Sequence, residues 1–522
     1  MAETDATQNE WTIMFYFGSD NELSLLNISQ IKAVKEAGYQ RNTELLLYFD
    51  SNETGVPSRL FNINKKNRGN RTGTRIGDGK DPFVTSFLKD QIFPDTMDPQ
   101  KGDCTKTLCQ KLNDPDSMTA SESLINFIGY CVENKPAKHY ILFLCGHGLI
   151  VGNDSFLLDA KPRSGIGLVD FGKIIGDLKK KITDRGGEFE LLCLHSCSMS
   201  GIEVASELKN TAKYMIASQG FSYVGSWPYR QLMKKVFNVT EKGLTEAAIR
   251  DLTARIFDLS LYNAPDFAFS GYSHDLTLCS LAEDKIAQLV GPLRKLTDNL
   301  KWSLKKKRGK QLILLAHLEA QSFWREDYTD IFDFCRCLYD NCDLDNEFEK
   351  SLATDCQDVM KVFADRDYPF DGLVVFTDNF GWQYRYARGL SIYFPWTRPL
   401  GDVDNDPLKN YATYAFSRDL GEGHSWLGFL QDYWDATVRQ LDEVAADPGL
   451  VEVMNNLEAS FGKPSGSLNK PGQGYADSQC ICPSIKNFPT TVKLGRRTKS
   501  FHAGERTIVS LEDVEPPPDR FE

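Results

Sequence analysis

The sequence predicts an α/β protein built around a mainly parallel sheet flanked by helices. Short, nearly continuous apolar runs alternate with helical patterns through the first 230 residues, and strands that are buried on both faces consist of such runs. After residue 240 the pattern becomes mostly helical, which predicts a helical C-terminal subdomain beside the sheet. The predicted strands are 11–17, 44–49, 140–145, 189–194 and 214–217, with 373–376 and 390–394 late in the chain.

Helical patterns and turn residues separate the predicted strands. A capping-box pattern, Thr119 followed three residues later by Glu122, predicts the start of one helix. Residues 62–80 are basic, polar and rich in glycine, which predicts an exposed hairpin or loop. The other predicted helices include 174–182, 286–300 and 328–338.

Composition along the chain predicts three parts. Residues 1–235 would form the core of the sheet, and residues 236–445 would form the helical subdomain together with late strands that complete the core. Proline and glycine residues after position 445 mark a linker. The remainder, 446–522, contains strand-like stretches within 490–509, so this tail is either a small β appendage or a docking segment.

The overall composition excludes several classes of protein. The chain has 522 residues, 41% of them hydrophobic, and a net charge of -12, which argues against general affinity for nucleic acid or anionic lipid. We find no export signal and no run of 18 apolar residues, so we expect no membrane span. Thirteen scattered cysteines predict reduced thiols and a cytoplasmic location.

Two predicted strand ends carry residues suited to nucleophilic catalysis. The third strand runs into His147 and Gly148, and the fourth runs into Cys197. Functional groups of open α/β sheets gather at the carboxyl ends of the strands. A free thiol is only a few per cent thiolate at neutral pH, so it benefits from an imidazole that accepts its proton. We therefore predict Cys197 as nucleophile and His147 as general acid/base.

The backbone around these residues completes the prediction. Gly148 has no side chain, so its N–H and that of Cys197 could form an oxyanion hole, where each donor contributes about 3 kcal/mol. A helical pattern from Met199 to Leu208 follows the cysteine, and its positive N-terminal end would favour the thiolate.

The segments around these residues resemble the clostripain family of cysteine peptidases, from the same clan as caspases, legumains and gingipains. Residues 195–208 are similar to the family's D-x-C-x-M and G-x-x-E-V-A-x-E-L patterns, and residues 225–229 to its G-W-P-Y. The His-to-Cys spacing of about 50 residues is also found in caspases. The resemblance covers about residues 10–440 and implies a caspase-like fold and endopeptidase activity on protein or peptide substrates.

The resemblance also raises a question about substrate specificity. The family usually cleaves after Arg or Lys with the help of an acidic residue two positions before the nucleophile, and His195 stands there in this chain. No Asp or Glu occurs from 208 to 240, which favours a neutral, polar-aromatic S1 pocket unless Asp371 or Asp378 supplies a carboxylate. The predicted pocket residues are His195, Ser218, Gln219, Tyr223 and Trp227.

The resemblance implies a zymogen. Relatives are activated by a cut between the His and Cys strands, and the corresponding loop here, 159–165, contains Lys161 and Arg163. An upstream activating protease or a regulatory complex would be the partner. No cofactor is required by the sequence, and calcium is implied by the family alone. Bacterial defence or regulated cell death is the expected setting by analogy.

Two alternatives remain open at this point. Cys145, His147, His195 and Cys197 together form a Cys2His2 set that could bind zinc, although the spacing within each pair is tight. The fold could also be retained by a catalytically silent scaffold that acts through partner binding, because fold alone does not determine function.

Overall fold

An eight-stranded sheet forms the centre of the molecule, described by a computed structural model. The strand order is β12-β9-β8-β7-β4-β1-β2-β3. These strands are β1 Asn9–Ser19, β2 Thr43–Ser51, β3 Arg59–Asn62, β4 Ala137–Cys145, β7 Glu188–His195, β8 Tyr214–Ala217, β9 His274–Ser280 and β12 Val374–Phe380. The described residues are 9–36, 40–51, 58–63, 118–149, 151, 155–160, 162–262, 273–323, 326–363, 372–399, 406–421, 423–445, 491–494 and 497–500.

The middle of the sheet is parallel and its two ends are antiparallel. Strands β2, β1, β4, β7 and β8 are parallel to their neighbours in this series. Strand β3 is antiparallel to β2, and β9 is antiparallel to both β8 and β12. The carboxyl ends of β1, β4, β7, β8 and β12 therefore lie at one edge of the sheet, which we call the carboxyl edge.

Helices cover both faces of the sheet. The main ones near the sheet are α1 Ser24–Lys35, α2 Ala120–Asn134, α3 Leu168–Asp184, α4 Ile202–Glu207, α5 Tyr229–Lys242 and α6 Glu246–Tyr262. Phe127 of α2 packs on Tyr16 of β1, whereas Tyr229 of α5 packs on Phe15. Because adjacent strand residues point to opposite faces, these contacts place α2 and α5 on opposite sides.

The second half of the chain adds a helical layer and small sheets. No helix of the described residues is both long and apolar enough to cross a bilayer. The helices are α7 Glu283–Ser303, α8 Lys307–Glu319, α9 Ile331–Asp340, α10 Glu347–Met360, α11 Pro407–Thr413, α12 Ala415–Leu420 and α13 Trp426–Ala445, with a 3-10 turn at Trp382–Tyr384. The remaining strands are β5 Phe156–Ala160, β6 Arg163–Ile166, β10 Ser322–Phe323, β11 Tyr328–Asp330, β13 Ser391–Tyr393, β14 Thr491–Leu494 and β15 Arg497–Ser500.

The structure confirms the predicted fold class and corrects some of its elements. The capping box forms, since Thr119 Oγ1 accepts from Glu122 N (3.3 Å) and Glu122 Oε2 accepts from Thr119 N (2.9 Å). The prediction that the helix begins at Tyr328 was wrong, because 328–330 pair with β13 and the helix begins at Ile331. The prediction for 62–80 lies outside the described residues from 64 onward. The divisions at 235 and 445 stay predictions.

A hairpin of β5 and β6 connects the strand that precedes His147 to the strand that precedes Cys197. It docks on the turn after β1, because Ala160 N donates to Asp20 O (2.6 Å) and Asn21 Nδ2 donates to Leu158 O (2.7 Å). Leu157 N donates to His147 O (3.2 Å), so the hairpin is tied to the carboxyl edge.

The hairpin buries an acidic side chain, Asp159, which is 1% exposed. Burial, and then the nearby carboxylates of Asp50 and Asp20, raise the pKa of Asp159 to about 9. The Ser164 hydroxyl offsets part of this shift but makes no well-formed hydrogen bond to either carboxylate oxygen. At neutral pH the folded state therefore holds Asp159 as the uncharged acid.

We expect Asp159→Asn to stabilise the protein at alkaline pH. The folded pKa is higher than the unfolded one, so the folded state binds more protons and stability falls as pH rises from about 4 to about 9. The neutral amide removes this dependence, so the unfolding temperature should rise by about 2 °C at pH 8 and change less at pH 4.5. Thermal unfolding at both pH values tests it. Asp177→Asn on the exposed face of α3 is the control, and an equal shift in both variants would contradict the explanation.

Candidate active site

The pairing of β4 with β7 brings the two predicted catalytic residues together. Cys145 pairs with His195 at the end of this parallel ladder. His147 and Cys197 each lie two residues after the ends of these neighbouring strands, at the carboxyl edge. The predicted dyad therefore comes from the two central connections of the sheet.

Gly148 and Cys197 are in direct backbone contact. A Cβ atom added at Gly148 would overlap the Cys197 carbonyl oxygen and would lie 2.8 Å from the Cys197 nitrogen. Only glycine permits this approach. The close contact explains why the residue after the histidine lacks a side chain.

His147 lies in a buried position beside a glutamate. It is 1% exposed, and its Nε2 lies 3.4 Å from Oε1 of Glu22, in the turn after β1. Its Nδ1 is buried and makes no hydrogen bond within the described residues. A buried ring nitrogen without a partner is uncommon, and the role of His147 as general acid/base stays a prediction.

The loop after β8 contacts the Cys197 sulfur. Ser222 N donates to Cys197 Sγ (3.4 Å), and the thiol lies 3.8 Å from Ser222 O. The backbone of Ser222 therefore both donates to the sulfur and accepts from the thiol. The predicted helix after the cysteine begins later than expected, because α4 starts at Ile202 and has six residues. Its effect on the thiolate stays a prediction.

His195 lies in the core below the cysteine. Its Nε2 faces Tyr223 O (2.8 Å), so this nitrogen carries the proton, and Nδ1 accepts from Tyr229 Oη (2.7 Å). The ring stacks on Trp227 at 4.9 Å between centroids, and burial lowers the pKa of His195 to about 4. His195 is a neutral core residue at physiological pH.

Most of the residues predicted to line the S1 pocket are buried, as His195 is. His195, Trp227, Ser218 and Gln219 are all 0% exposed, and Tyr223 alone of the five candidates is partly exposed. As folded here, four of the five offer no surface to a substrate. Their role in the pocket stays a prediction that requires the site to open.

Two buried carboxylates that sequence reasoning missed hold the loop after β8. Asp275 accepts from Gln219 N (2.6 Å) and Gly220 N (2.9 Å). Asp330 accepts from Gln219 Nε2 (2.9 Å). Burial raises the pKa of Asp275 to about 6 and that of Asp330 to about 7. Neither residue belongs to a recognisable motif, and the sequence carries no signal that either one contacts this loop.

The predicted residues of the processing loop and the two candidate pocket carboxylates lie in different parts of the chain. Arg163 is exposed near the tip of the β5–β6 hairpin, whereas Lys161 and Asp371 lie outside the described residues. Asp378 is partly exposed on β12, where its side chain accepts from Asn379 N (2.9 Å).

The four residues of the zinc alternative do not assemble a ligand set. Both ring nitrogens of His195 are used by Tyr223 and Tyr229. Among the described residues, the group with three ligand atoms within 4.8 Å of one another is His139, Glu188 and Glu190, near the opposite edge of the sheet. Lys213 already contacts both of these carboxylates. The calcium expectation stays a prediction.

Comparison with known proteins decides the family. The clostripain family model matches residues 15–417, which is more than half of the chain. The chain belongs to the clostripain family. It is accordingly a cysteine-type endopeptidase. No curated protein matches the sequence significantly.

Solved structures of clostripain-type (C11) proteases are similar to this chain. An inactive zymogen C11 protease from Parabacteroides distasonis is 17% identical, with 80% of this chain and 100% of that chain covered and a TM-score of 0.46. A secreted C11 cysteine protease from Bacteroides thetaiotaomicron, in complex with an irreversible peptide inhibitor, is 12% identical, with 79% and 99% covered and a TM-score of 0.48.

We expect Gly148→Ala to abolish reaction of Cys197 with a peptidyl acyloxymethyl ketone. The methyl group would displace the Cys197 backbone. Intact-mass measurement of the labelled protein provides the test. Gly176→Ala on α3 is the matched control, because an added Cβ meets nothing within 4 Å there. Normal labelling of the Gly148 variant would show that the contact is not required.

Proposed function

We propose that the protein hydrolyses peptide bonds of protein substrates with a Cys-His dyad, in which Cys197 is the nucleophile and His147 the general acid/base. The observation that carries this proposal is the β4–β7 register, because it pairs Cys145 with His195, and His147 and Cys197 each follow two residues after this pair. The contact of Ser222 N with the sulfur supports a nucleophilic role for Cys197.

The proposed reaction has two stages. His147 accepts the thiol proton as the sulfur attacks the scissile carbonyl carbon, and the N–H groups of Gly148 and Cys197 stabilise the oxyanion. The C–N bond then breaks, and His147 returns the proton to the leaving amine. Water, deprotonated by His147, hydrolyses the thioester and releases the carboxylate product together with free enzyme.

The burial of the dyad supports synthesis as a latent precursor. His147 is 1% exposed and Cys197 is 5% exposed, which leaves little room for a polypeptide. We propose that a cut in the 159–165 loop frees the hairpin that is tied to the backbone of His147. The exposed Arg163 next to the hairpin tip is the accessible side chain for such a cut.

We further propose a reducing compartment, the cytoplasm, and a role as a caspase-like effector in bacterial defence or regulated cell death. The compartment is supported by nine thiols of the described residues, eight of them buried, that form no disulfide. The biological setting rests on analogy with the clan. An upstream activating protease or regulatory complex would then control the enzyme, and calcium dependence is open to direct measurement.

We expect Cys197→Ala to lose all labelling by a peptidyl acyloxymethyl ketone and all hydrolysis of unfolded protein. His147→Ala should lower the labelling rate by at least about 100-fold, since general acid/base catalysis contributes that much or more. Cys342→Ser is the control, because this partly exposed thiol follows α9 in the helical layer, away from the sheet, and its replacement should leave labelling unchanged. Failure of the wild-type protein to react after deliberate cleavage would favour the silent scaffold.

We expect limited trypsin cleavage after Arg163 to raise the labelling rate of Cys197 by about tenfold or more, because a buried thiol becomes accessible. Arg163→Gln is the matched control and should resist both the cut and the increase. Intact mass of the purified wild type beside Cys197→Ala shows whether the enzyme cleaves itself. Cleavage of the wild type alone means self-processing, and identical fragments mean a different enzyme. An unchanged rate after complete cleavage would contradict latency.

A further inference from the structure

Three exposed aromatic side chains lie together on one short segment. Phe380, Trp382 and Tyr386 are 48%, 72% and 43% exposed, and we call residues 380–386 the aromatic segment. Most large apolar side chains of the described residues are buried. Three exposed aromatic side chains within seven residues concentrate apolar surface on a short segment, and concentrated exposed apolar surface is typical of binding sites.

The aromatic segment is fixed against the loop that contacts the nucleophile. Tyr384, in the middle of the segment, is 4% exposed. Its hydroxyl accepts from Phe221 N (3.0 Å), and a Cβ added at Gly220 would overlap its ring. The next residue, Ser222, donates its N–H to Cys197 Sγ. One buried tyrosine therefore connects the exposed aromatics to the loop around the sulfur.

The sheet topology puts this segment on one side of the dyad. It begins at the end of β12, and the order β12-β9-β8-β7-β4 places β7 and its Cys197 three strands away along the sheet. Strand β12 runs in the same direction as β7, so its last residue, Phe380, reaches the carboxyl edge. An extended chain that crosses Cys197 toward β12 would meet the aromatic segment.

Positive charge without a carboxylate partner in the described part of the chain lies at the end of the segment, at Arg385, and two residues after it, at Arg388. Arg385 and Arg388 are exposed, and neither forms an ion pair with a described residue. The Arg385 guanidinium lies 4.8 Å from the centre of the Tyr386 ring. The Arg388 guanidinium lies 5.4 Å from the centre of the Phe332 ring. The chain as a whole has a net charge of -12, so two guanidinium groups without an ion-pair partner among the described residues are a local feature. They would attract carboxylates of a bound peptide.

We propose that the aromatic segment is a substrate subsite that binds a bulky apolar side chain, flanked by an acidic residue, on one side of the scissile bond. This inference rests on the proposed endopeptidase function and adds its substrate class. Trp382 and Phe380 contact the apolar side chain, and Arg385 and Arg388 bind the neighbouring carboxylate. These residues lie outside the predicted S1 pocket and determine specificity at a more distant position.

A positional scan of peptides tests this subsite. Cleaved wild-type protein is assayed with quenched fluorescent peptides that carry Phe, Ser or Glu at each of four positions on either side of one scissile bond. We expect Phe to raise kcat/KM about tenfold over Ser at one or two positions on a single side, mainly through KM. Trp382→Ser should reduce this preference to about twofold. Arg385→Gln should reduce a preference for Glu at the neighbouring position, and Arg385→Gln combined with Arg388→Gln should abolish it.

Trp302→Ser is the matched control. Trp302 is 47% exposed on α7 under the Lys306 amine, and α7 packs on α10 and α13 rather than on the sheet. This variant should keep the full preference for Phe. Thermal unfolding checks that both variants are folded, as expected for largely exposed side chains.

Labelling of Cys197 separates the two ways in which the inference could fail. If no acyloxymethyl ketone labels Cys197 in the cleaved wild type, the endopeptidase proposal itself fails. If Cys197 is labelled and peptides are cut, but Trp382→Ser retains the wild-type preference at every position, the subsite is wrong and the catalytic proposal stands. A loss of preference in Trp302→Ser as large as in Trp382→Ser would likewise overturn the subsite.

Discussion

The parallel pairing of β4 with β7 is the constraint on which the site depends. Its register aligns Cys145 with His195, and each strand then leaves the sheet into a loop that carries one member of the dyad. A slip of one residue would turn every side chain of one strand to the other face. The buried pairs below, Cys145 with His195 and His195 with Tyr229, oppose such a slip because they fit one alignment.

The loop around the sulfur is held from the second half of the chain. Asp275 belongs to β9 and Asp330 to β11, and both accept from Gln219 or its neighbour. The same Gln219 side chain accepts from Gly389 N (2.8 Å). Buried carboxylates are costly unless their oxygens are hydrogen-bonded, and here the loop supplies these bonds. The catalytic edge and the helical layer are thus mutually stabilising.

The sequence was sufficient for features that depend on local patterns. Continuous apolar runs predicted the buried parallel strands, and the capping box at Thr119 formed as expected. Strand β9 was missed because it carries His274, Asp275 and Thr277, which are buried polar residues. The burial of these polar residues depends on contacts with residues that are distant in the sequence. In the same way, Tyr328 joined a strand rather than a helix because β13, some 60 residues later, pairs with it.

The site, like the fold, was predictable where it depends on local sequence and not where it depends on long-range contacts. The roles proposed for His147, Gly148 and Cys197 follow from their positions after strand ends. The backbone contact between Gly148 and Cys197 gives a reason for the glycine that the sequence did not show. The place of His195 depends on stacking with Trp227 and on the Tyr223 carbonyl. Such contacts arise only in the folded chain. The composition of this region indicated polar and aromatic side chains, but it did not indicate that they are buried.

Strands β9 and β12 complete one side of the sheet with residues that follow position 273. A ribosome that has made only the first 235 residues has therefore produced a sheet whose border, β8, exposes unpaired amide and carbonyl groups. Such borders recruit other chains. The nascent polypeptide should depend on chaperones until its later strands emerge. Residues 1–235 expressed alone should aggregate rather than fold into an active enzyme.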